Sequence, residues 1–248
     1  DCIVPVSGGK DGSYVTYKLK HEYGMNPLAV TVTPALSLSI GDSNLKNFIN
    51  SGYNHIQINP DSNVMRILNK TGFIEKGFPY YGWLMAIQSA ILRMAISLNI
   101  SLIFYGEDGE IEYGGTSENK NKSLHNVDYR DRIILEGGHD IVINKTCLTK
   151  EQLYFFLLPS EKELKSADVK IAHWSYFENW DPYRNYLVAK ENCGLDEVES
   201  NNIGTFTNFA QNDQILYNLH TYLMYLKFGF GRATQDAGIE IRRGSMKR

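Results

Sequence analysis

A glycine-rich turn at residues 7–13 constrains the fold of this chain more than any other feature. The apolar run at 3–6 predicts a buried strand, and apolar residues at helical spacing follow the glycines. A strand-to-helix turn of this kind collects unpaired backbone N–H groups and the positive end of a helix dipole. Glycines let an anion approach these groups closely, and Ser7 and Lys10 add a hydroxyl donor and a cation. The turn therefore predicts a phosphate or sulfate site.

Length and composition fit one large globular unit of 248 residues. The formal net charge of -3 argues against a protein that coats duplex nucleic acid, because such domains usually carry a basic excess. The three cysteines form no C-x-x-C pair, which favours a reducing compartment. No apolar run reaches the roughly 18 residues of a membrane span. We expect a cytoplasmic protein with neither nucleic-acid binding nor a membrane span.

Strands and helices alternate along most of the chain. Apolar runs predict strands at 3–6, 28–32, 55–58, 101–105 and 170–174. Helices are expected behind the turn, near 45–51, at 83–98, from 182 to about 190 and at 211–228. This alternation predicts an α/β fold with a parallel sheet and a mostly helical C-terminal part. In such a sheet, ligands lie beyond the carboxyl ends of the strands.

Two acidic positions lie where these strand ends are expected. Asp11 follows the glycines, and a carboxylate beside a phosphate turn is repulsive unless a cation intervenes. This position therefore predicts a Mg²⁺ ligand, and the alternative role for Asp11 is that of a helix N-cap. Glu107 and Asp108 follow the fourth strand. They would hold a metal or steer an amine nucleophile, and a solvated turn is the alternative.

Arginines near the C-terminus form a second group of candidates. Arg232, Arg242 and Arg243 present planar forks that suit phosphate and carboxylate groups. Gly229 and Gly231 lack the third glycine and the preceding strand of a dinucleotide fingerprint. Either these arginines bind an anionic substrate, or they are solvated charges on a terminal helix.

The first motif is specific enough to suggest a family. Ser7-Gly8-Gly9-Lys10-Asp11 resembles the PP-loop of ATP pyrophosphatases, which split ATP between its α and β phosphates. It is not a Walker A loop, because Asp follows the lysine and the glycine spacing differs. The usual PP-loop has Ser where this chain has Gly12, and Ser13 comes one place later.

Further blocks in order resemble the N-acetyl sugar amidotransferases of bacterial surface-glycan synthesis, a branch of the PP-loop superfamily. The blocks are Gly106-Glu107, Glu112-Tyr113-Gly114, Trp180-Asp181-Pro182, Asn185-Tyr186, 205–209, 227–234 and 241–244. The resemblance implies an adenine nucleotide alpha-hydrolase-like, Rossmann-like fold. Residues 1–110 would form the ATP-binding α/β core, and 111–248 the rest of the core with a helical substrate-binding region. Relatives typically carry an upstream cysteine-rich segment that looks zinc-binding, so we expect one to precede residue 1 in the full protein.

The resemblance also implies a reaction. The amide oxygen of an acetamido sugar attacks the α-phosphate of ATP, and ammonia from a separate glutaminase subunit then displaces AMP to leave an acetamidino group. Lys10, Asp11 and Glu107 would be catalytic, with Asp11 on Mg²⁺, and Arg232, Arg242 and Arg243 would bind the acetamido (nucleotide) sugar. The expected ATP contacts are Ser7, Gly8, Gly9, Lys10, Asp11, Gly12, Ser13, Val32, Thr33 and Gly106.

Two alternatives remain open at the level of sequence. One is another AMP-forming PP-loop enzyme, either tRNA-modifying or similar to NAD synthetase. The other is a non-catalytic module that binds ATP. A pyrophosphate-release assay with candidate sugars separates catalysis from binding alone.

Overall fold

The computed structural model describes residues 1–107, 109–112, 117–118, 122–125 and 129–248, with only the backbone of Ile111. Within these residues, five parallel strands form one sheet in the order β3-β2-β1-β4-β5. The strands are β1 Cys2–Pro5, β2 Pro27–Val32, β3 Asn54–Ile58, β4 Leu102–Tyr105 and β5 Lys170–His173. The predicted α/β fold with a parallel sheet is confirmed.

Helices connect and cover the strands. They are α1 Lys10–His21, α2 Ser39–Asn50, α3 Ser62–Lys76, α4 Tyr81–Ser97, α5 Gly109–Glu112, α6 Asp140–Ile143, α7 Glu161–Ser166, α8 Pro182–Cys193, α9 Leu216–Phe228 and α10 Arg232–Arg242. The described residues also include a π-helical turn at Arg130–Ile134 and a 3₁₀ turn at Trp174–Tyr176. No helix in the described part of the chain is both long and apolar enough to cross a bilayer.

The sheet is buried on both faces, as expected for parallel strands. One face packs against α3 and α4 through residues such as Leu68, Met85 and Ile91. The other face packs against α1, which in turn packs on α8. Because β1 has β2 on one side and β4 on the other, the strand order reverses between β1 and β4. The carboxyl ends of these two strands therefore frame the crevice where a ligand is expected.

Several helices differ from the pattern-based prediction: α2 begins earlier, at Ser39, and α6, α7 and α10 were not predicted individually. Helix α3 was not predicted, although Asp61 caps its N-terminus and Gly77 ends it in a left-handed conformation. The predicted start of the last long helix at 211 was wrong, because α9 begins only at Leu216. The preceding segment runs extended beside residues 36–38, where the Leu38 N–H donates to the Asp213 carbonyl at 3.0 Å.

Candidate functional site

The glycine turn leads from the carboxyl end of β1 directly into α1. Gly9 is the N-cap of α1 in an extended conformation, and no side chain accepts from the first-turn N–H groups as a cap. The helix therefore presents bare amides and the positive end of its dipole at this point. Gly8 has φ +81°, a conformation that L side chains rarely adopt. The local geometry is that of an anion site.

Close packing around the turn explains its small residues. A Cβ on Gly8 would lie 2.4 Å from the Leu45 nitrogen of α2, and one on Gly12 would lie 2.8 Å from the Pro5 carbonyl oxygen. Position 12 therefore has no room for a serine side chain in this chain. On the other side, a Cβ on Gly106 would lie 2.9 Å from the Asp11 backbone. Gly106 thus lets the end of β4 approach the turn across the β1–β4 crevice.

Lys10 and Asp11 form an ion pair at the start of α1. Asp11 is 5% exposed, and its Oδ1 accepts a hydrogen bond from the Asn185 side-chain amide of α8 at 3.0 Å. Asp11 is therefore not the N-cap that the sequence left open as an alternative. Burial alone would lower the pKa of Lys10, but the Asp11, Glu112 and Glu107 carboxylates outweigh it and raise that pKa. The Lys10 ammonium is accordingly charged at physiological pH.

Carboxylates surround this ammonium. Glu112, at the end of α5, is buried, and the Trp180 Nε1–H donates to its Oε1 at 2.7 Å. Burial raises the pKa of Glu112 to about 8, with Lys10 opposing the shift and Asp11 reinforcing it. Glu107 follows the end of β4 and is exposed at the surface. Partial removal from water and the nearby Asp11 charge raise its pKa. Its neighbour Asp108 lies outside the described residues.

A further carboxyl group reaches the turn from the C-terminal part of the chain. Asp213 hydrogen-bonds to Ser7, and its pKa is raised to about 7 by burial and by the nearby Glu107 charge. Ser13, which was expected to contact phosphate, is fully buried, and its hydroxyl has no hydrogen-bond partner among the described residues. Ser7 is thus half-buried and bonded to Asp213, whereas Ser13 has no exposed surface.

The predicted adenine contacts lie at the carboxyl end of β2. The Val32 carbonyl accepts a hydrogen bond from the Trp83 indole at 2.9 Å, and the Thr33 N–H donates to the Ile58 carbonyl at 3.0 Å. The Thr33 hydroxyl bonds to Asn59 at 2.5 Å. The Val32 carbonyl and the Thr33 N–H, which are two of the backbone groups expected to contact adenine, therefore already have protein partners.

A cleft of about 790 Å³ has Glu112 in its wall. Its lining mixes apolar surface with side chains of both signs of charge. The lining residues are Glu110, Glu112, Ser117, Asn179, Trp180, Asp181, Pro182, Arg184, Ile239, Arg242 and Arg243. Because Glu112 lines the cleft and also acts on Lys10, the cleft opens beside the turn.

The three predicted C-terminal arginines occupy different positions. Arg242 lies exposed at the cleft, where its Nη2–H donates to the Glu112 carbonyl at 2.9 Å. Arg243 also lines the cleft but is paired with Asp181 at 3.0 Å and Glu240 at 2.6 Å. Arg232 is buried, 3.6 Å from Asp236, and does not line the cleft. Arg242 is thus the best placed of the three to meet an anionic group.

The described residues contain no preformed metal-binding site. No group of three or more His, Cys, Asp or Glu side chains among them has the geometry of a metal site. Mg²⁺ in nucleotide sites is commonly held by one or two carboxylates together with phosphate oxygens and water. Asp11, beside the turn, fits that requirement as the protein ligand, provided that Lys10 moves onto the phosphates.

Several residues of this site were not singled out as functional from the sequence. Glu112, Trp180, Asn185 and Asp213 reach it from segments far along the chain. The first three belong to the blocks that carried the family resemblance, which was the available signal. Asp213 belongs to none of those blocks.

Comparison with known proteins finds a family match and similarity to solved structures. Residues 203–248 match the family described as LPS biosynthesis protein WbpG-like, C-terminal domain. A solved structure, the predicted subunit of a tRNA methyltransferase from Methanocaldococcus jannaschii, is similar over 91% of this chain and 87% of that chain. Its identity is 11% and its TM-score 0.41. A search of the curated proteins finds no match. The C-terminal helices with the cleft arginines are therefore similar to a domain of lipopolysaccharide biosynthesis proteins.

Proposed function

We propose that this protein is an ATP-dependent, AMP-forming sugar amidotransferase of bacterial surface-glycan synthesis. The observation that carries the proposal is the uncapped N-terminus of α1 behind Gly8, at the point where strand order reverses, beside a charged cleft. The uncapped helix N-terminus suits the β and γ phosphates of ATP, and the charged cleft suits an acetamido sugar. The WbpG-like match of residues 203–248 supports the glycan assignment.

The first chemical step activates a poor electrophile. The amide oxygen of the acetamido group attacks the α-phosphorus of ATP, and the bond to pyrophosphate breaks. In the proposal, the amides of 7–9 and the Lys10 ammonium stabilise the charge that develops on the departing pyrophosphate. Magnesium held by Asp11 would supply further positive charge to the triphosphate.

The second step exchanges oxygen for nitrogen. Ammonia attacks the imidoyl carbon, the carbon–oxygen bond breaks, and AMP leaves with the former amide oxygen. The cleft beside Lys10 holds the sugar so that its acetamido group reaches the α-phosphorus, and this alignment is a main contribution of the protein. Arg242 at the cleft is proposed to bind an anionic group of the sugar substrate.

Product analysis tests the proposal. The protein is incubated with ATP, Mg²⁺, ammonium and acetamido sugars, both free and nucleotide-linked. We expect AMP, pyrophosphate and a sugar product lighter by one mass unit, as amide-to-amidine exchange requires. Formation of ADP, or of AMP with an unchanged sugar in every mixture, would contradict it.

The nitrogen source is proposed to be a separate glutaminase subunit. At neutral pH most ammonia is ammonium, so free diffusion supplies the nucleophile poorly. The purified chain should use ammonium salts but not glutamine. Efficient use of glutamine by this chain alone would exclude a separate subunit.

A further inference from the structure

Glu112 is a buried acidic residue that has no role in the two proposed steps. Its carboxyl group is buried at the inner wall of the cleft and also acts on the Lys10 ammonium at the turn. It therefore lies between the proposed sugar site and the proposed phosphate site. A group attacking the activated carbon from the cleft would pass close to this carboxylate.

The contacts of Glu112 hold it in place without neutralising it. The Trp180 indole donates to Oε1 at 2.7 Å, and the Arg242 guanidinium bonds to the backbone carbonyl of Glu112 rather than to its carboxylate. On α1, Lys10 is already paired with Asp11. Among the described residues, no cation forms an ion pair with the Glu112 carboxylate.

The charges around Glu112 come from every neighbouring element. Lys10 favours its ionised form, whereas Asp11 on the same helix and Glu107 after β4 disfavour it. The other charged side chains that line the cleft are Glu110 on the same helix, and Asp181, Arg184, Arg242 and Arg243 from the C-terminal part of the chain. The effect of burial outweighs the opposing effect of the Lys10 charge and raises the pKa of Glu112 to about 8. The carboxyl group therefore exchanges protons near neutral pH.

The nitrogen step needs such a group. When ammonia adds to the imidoyl carbon, a carbon–nitrogen bond forms and the nitrogen becomes positively charged. One proton must leave this nitrogen as the carbon–oxygen bond to AMP breaks, or the nitrogen is expelled again. The cleft offers Glu112 as a buried acceptor next to the reacting centre.

We propose that the Glu112 carboxylate is a catalytic base that accepts the proton lost by the nitrogen nucleophile when AMP is displaced. The inference rests on the proposed function and assigns a residue to its second step. The proton moves from nitrogen to a Glu112 oxygen and is then released to solvent through the cleft. No further reactant is needed.

The test separates the two half-reactions in Glu112→Gln. Glutamine retains an oxygen that accepts from Trp180 but cannot take up a proton. We expect pyrophosphate release with sugar and ATP to stay within about threefold of wild type, while amidine formation falls about 10²-fold or more. The stranded imidoyl adenylate is then hydrolysed, so AMP forms without amidine.

A pH profile and two further variants sharpen the test. At constant free ammonia, wild-type amidine formation should rise with pH through an inflection near 8, and Glu112→Gln should lack this inflection. Glu112→Asp, which keeps a carboxylate but withdraws it, should recover part of the rate. The matched control Glu161→Gln, on an exposed surface helix, should behave as wild type.

The outcomes are distinguishable. If wild type forms AMP and amidine but Glu112→Gln forms amidine within threefold of it, Glu112 is not the base. If the variant loses pyrophosphate release and amidine formation equally, Glu112 acts before the nitrogen step, and the inference is likewise overturned. If wild type itself forms neither AMP nor amidine, the proposed function fails.

Discussion

At the scale of single residues, Gly8 tests the geometry of the turn. Alanine at this position combines a positive φ with a Cβ 2.4 Å from the Leu45 nitrogen, which is backbone and cannot rotate away. We expect Gly8→Ala to lower the free energy of unfolding by about 2–4 kcal/mol and to abolish ATP binding. Chemical denaturation and equilibrium titration with ATP measure the two effects.

Gly24→Ala is the matched control for that strain. Gly24 also has a positive φ, +62°, but a Cβ there meets nothing within 4 Å. Its cost should be only about 1 kcal/mol, with ATP binding retained. An equal loss of unfolding free energy in the two variants would show that the packing of the turn against α2 does not contribute to stability.

Lys10 tests the charge at the turn. We expect Lys10→Ala to lower pyrophosphate release by about 10²-fold or more, because the substitution removes the cation proposed to stabilise the leaving group. Lys18→Ala, two turns along α1 and paired with Glu22, should leave the rate unchanged. Steady-state assays measure the rate of pyrophosphate release in both variants, and circular dichroism checks that both are folded. An unaltered rate in Lys10→Ala would refute the phosphate assignment.

The residues of the site divide into those that sequence alone suggests and those that it does not. Ser7 to Asp11 are contiguous, so a short pattern reports their chemistry directly. Asn185 contacts Asp11 from 174 positions away, and only the fold brings the two together. Ser13 is close to the turn in sequence, yet it is fully buried, and its position in the sequence does not reveal this burial.

At the scale of elements, the contact between α3 and α4 depends on a glycine. A Cβ on Gly72 would lie 2.3 Å from the Tyr81 Cβ, so alanine pushes the two helices apart. We expect Gly72→Ala to cost about 1–3 kcal/mol of unfolding free energy. The helical control Gly238→Ala, whose Cβ meets only the flexible end of Arg242 at 3.4 Å, should be neutral or stabilising by up to about 1 kcal/mol. Thermal melts of the two variants should therefore shift in opposite directions or differ clearly in size.

The elements that were predicted are those with a strong apolar pattern. Strands β1, β2 and β4 and helix α4 are apolar over most of their length, because both faces of the central part of the sheet are covered, whereas the edge strands β3 and β5 carry two apolar residues each. Helix α3 is more polar outside its buried stripe of Val64, Met65 and Leu68, and its caps were the stronger signal. The start of α9 was misplaced because tertiary pairing of 212–215 with 36–38 overrides a helical pattern.

At the scale of the whole molecule, buried carboxyl groups give stability a pH dependence. The pKa of Glu112 is raised from 4.5 to about 8, so the folded state binds its proton more tightly than the unfolded state. This contribution is fully present below pH 4.5 and is lost as the pH rises through about 8. Between these values, the unfolding free energy of Glu112→Gln should fall less steeply than that of wild type, by at most ~1.4 kcal/mol per pH unit. Denaturation at several pH values measures the slopes, and parallel slopes would mean that Glu112 is ionised in the folded state.

The reaction as a whole is tested most directly by the fate of one oxygen atom. The acetamido oxygen of the sugar is labelled with ¹⁸O, and the products of ATP turnover are examined by mass spectrometry. If this oxygen attacks the α-phosphorus of an ATP held by the glycine turn, the label must appear in AMP, and pyrophosphate must remain unlabelled. Unlabelled AMP, or ADP in its place, would contradict the account.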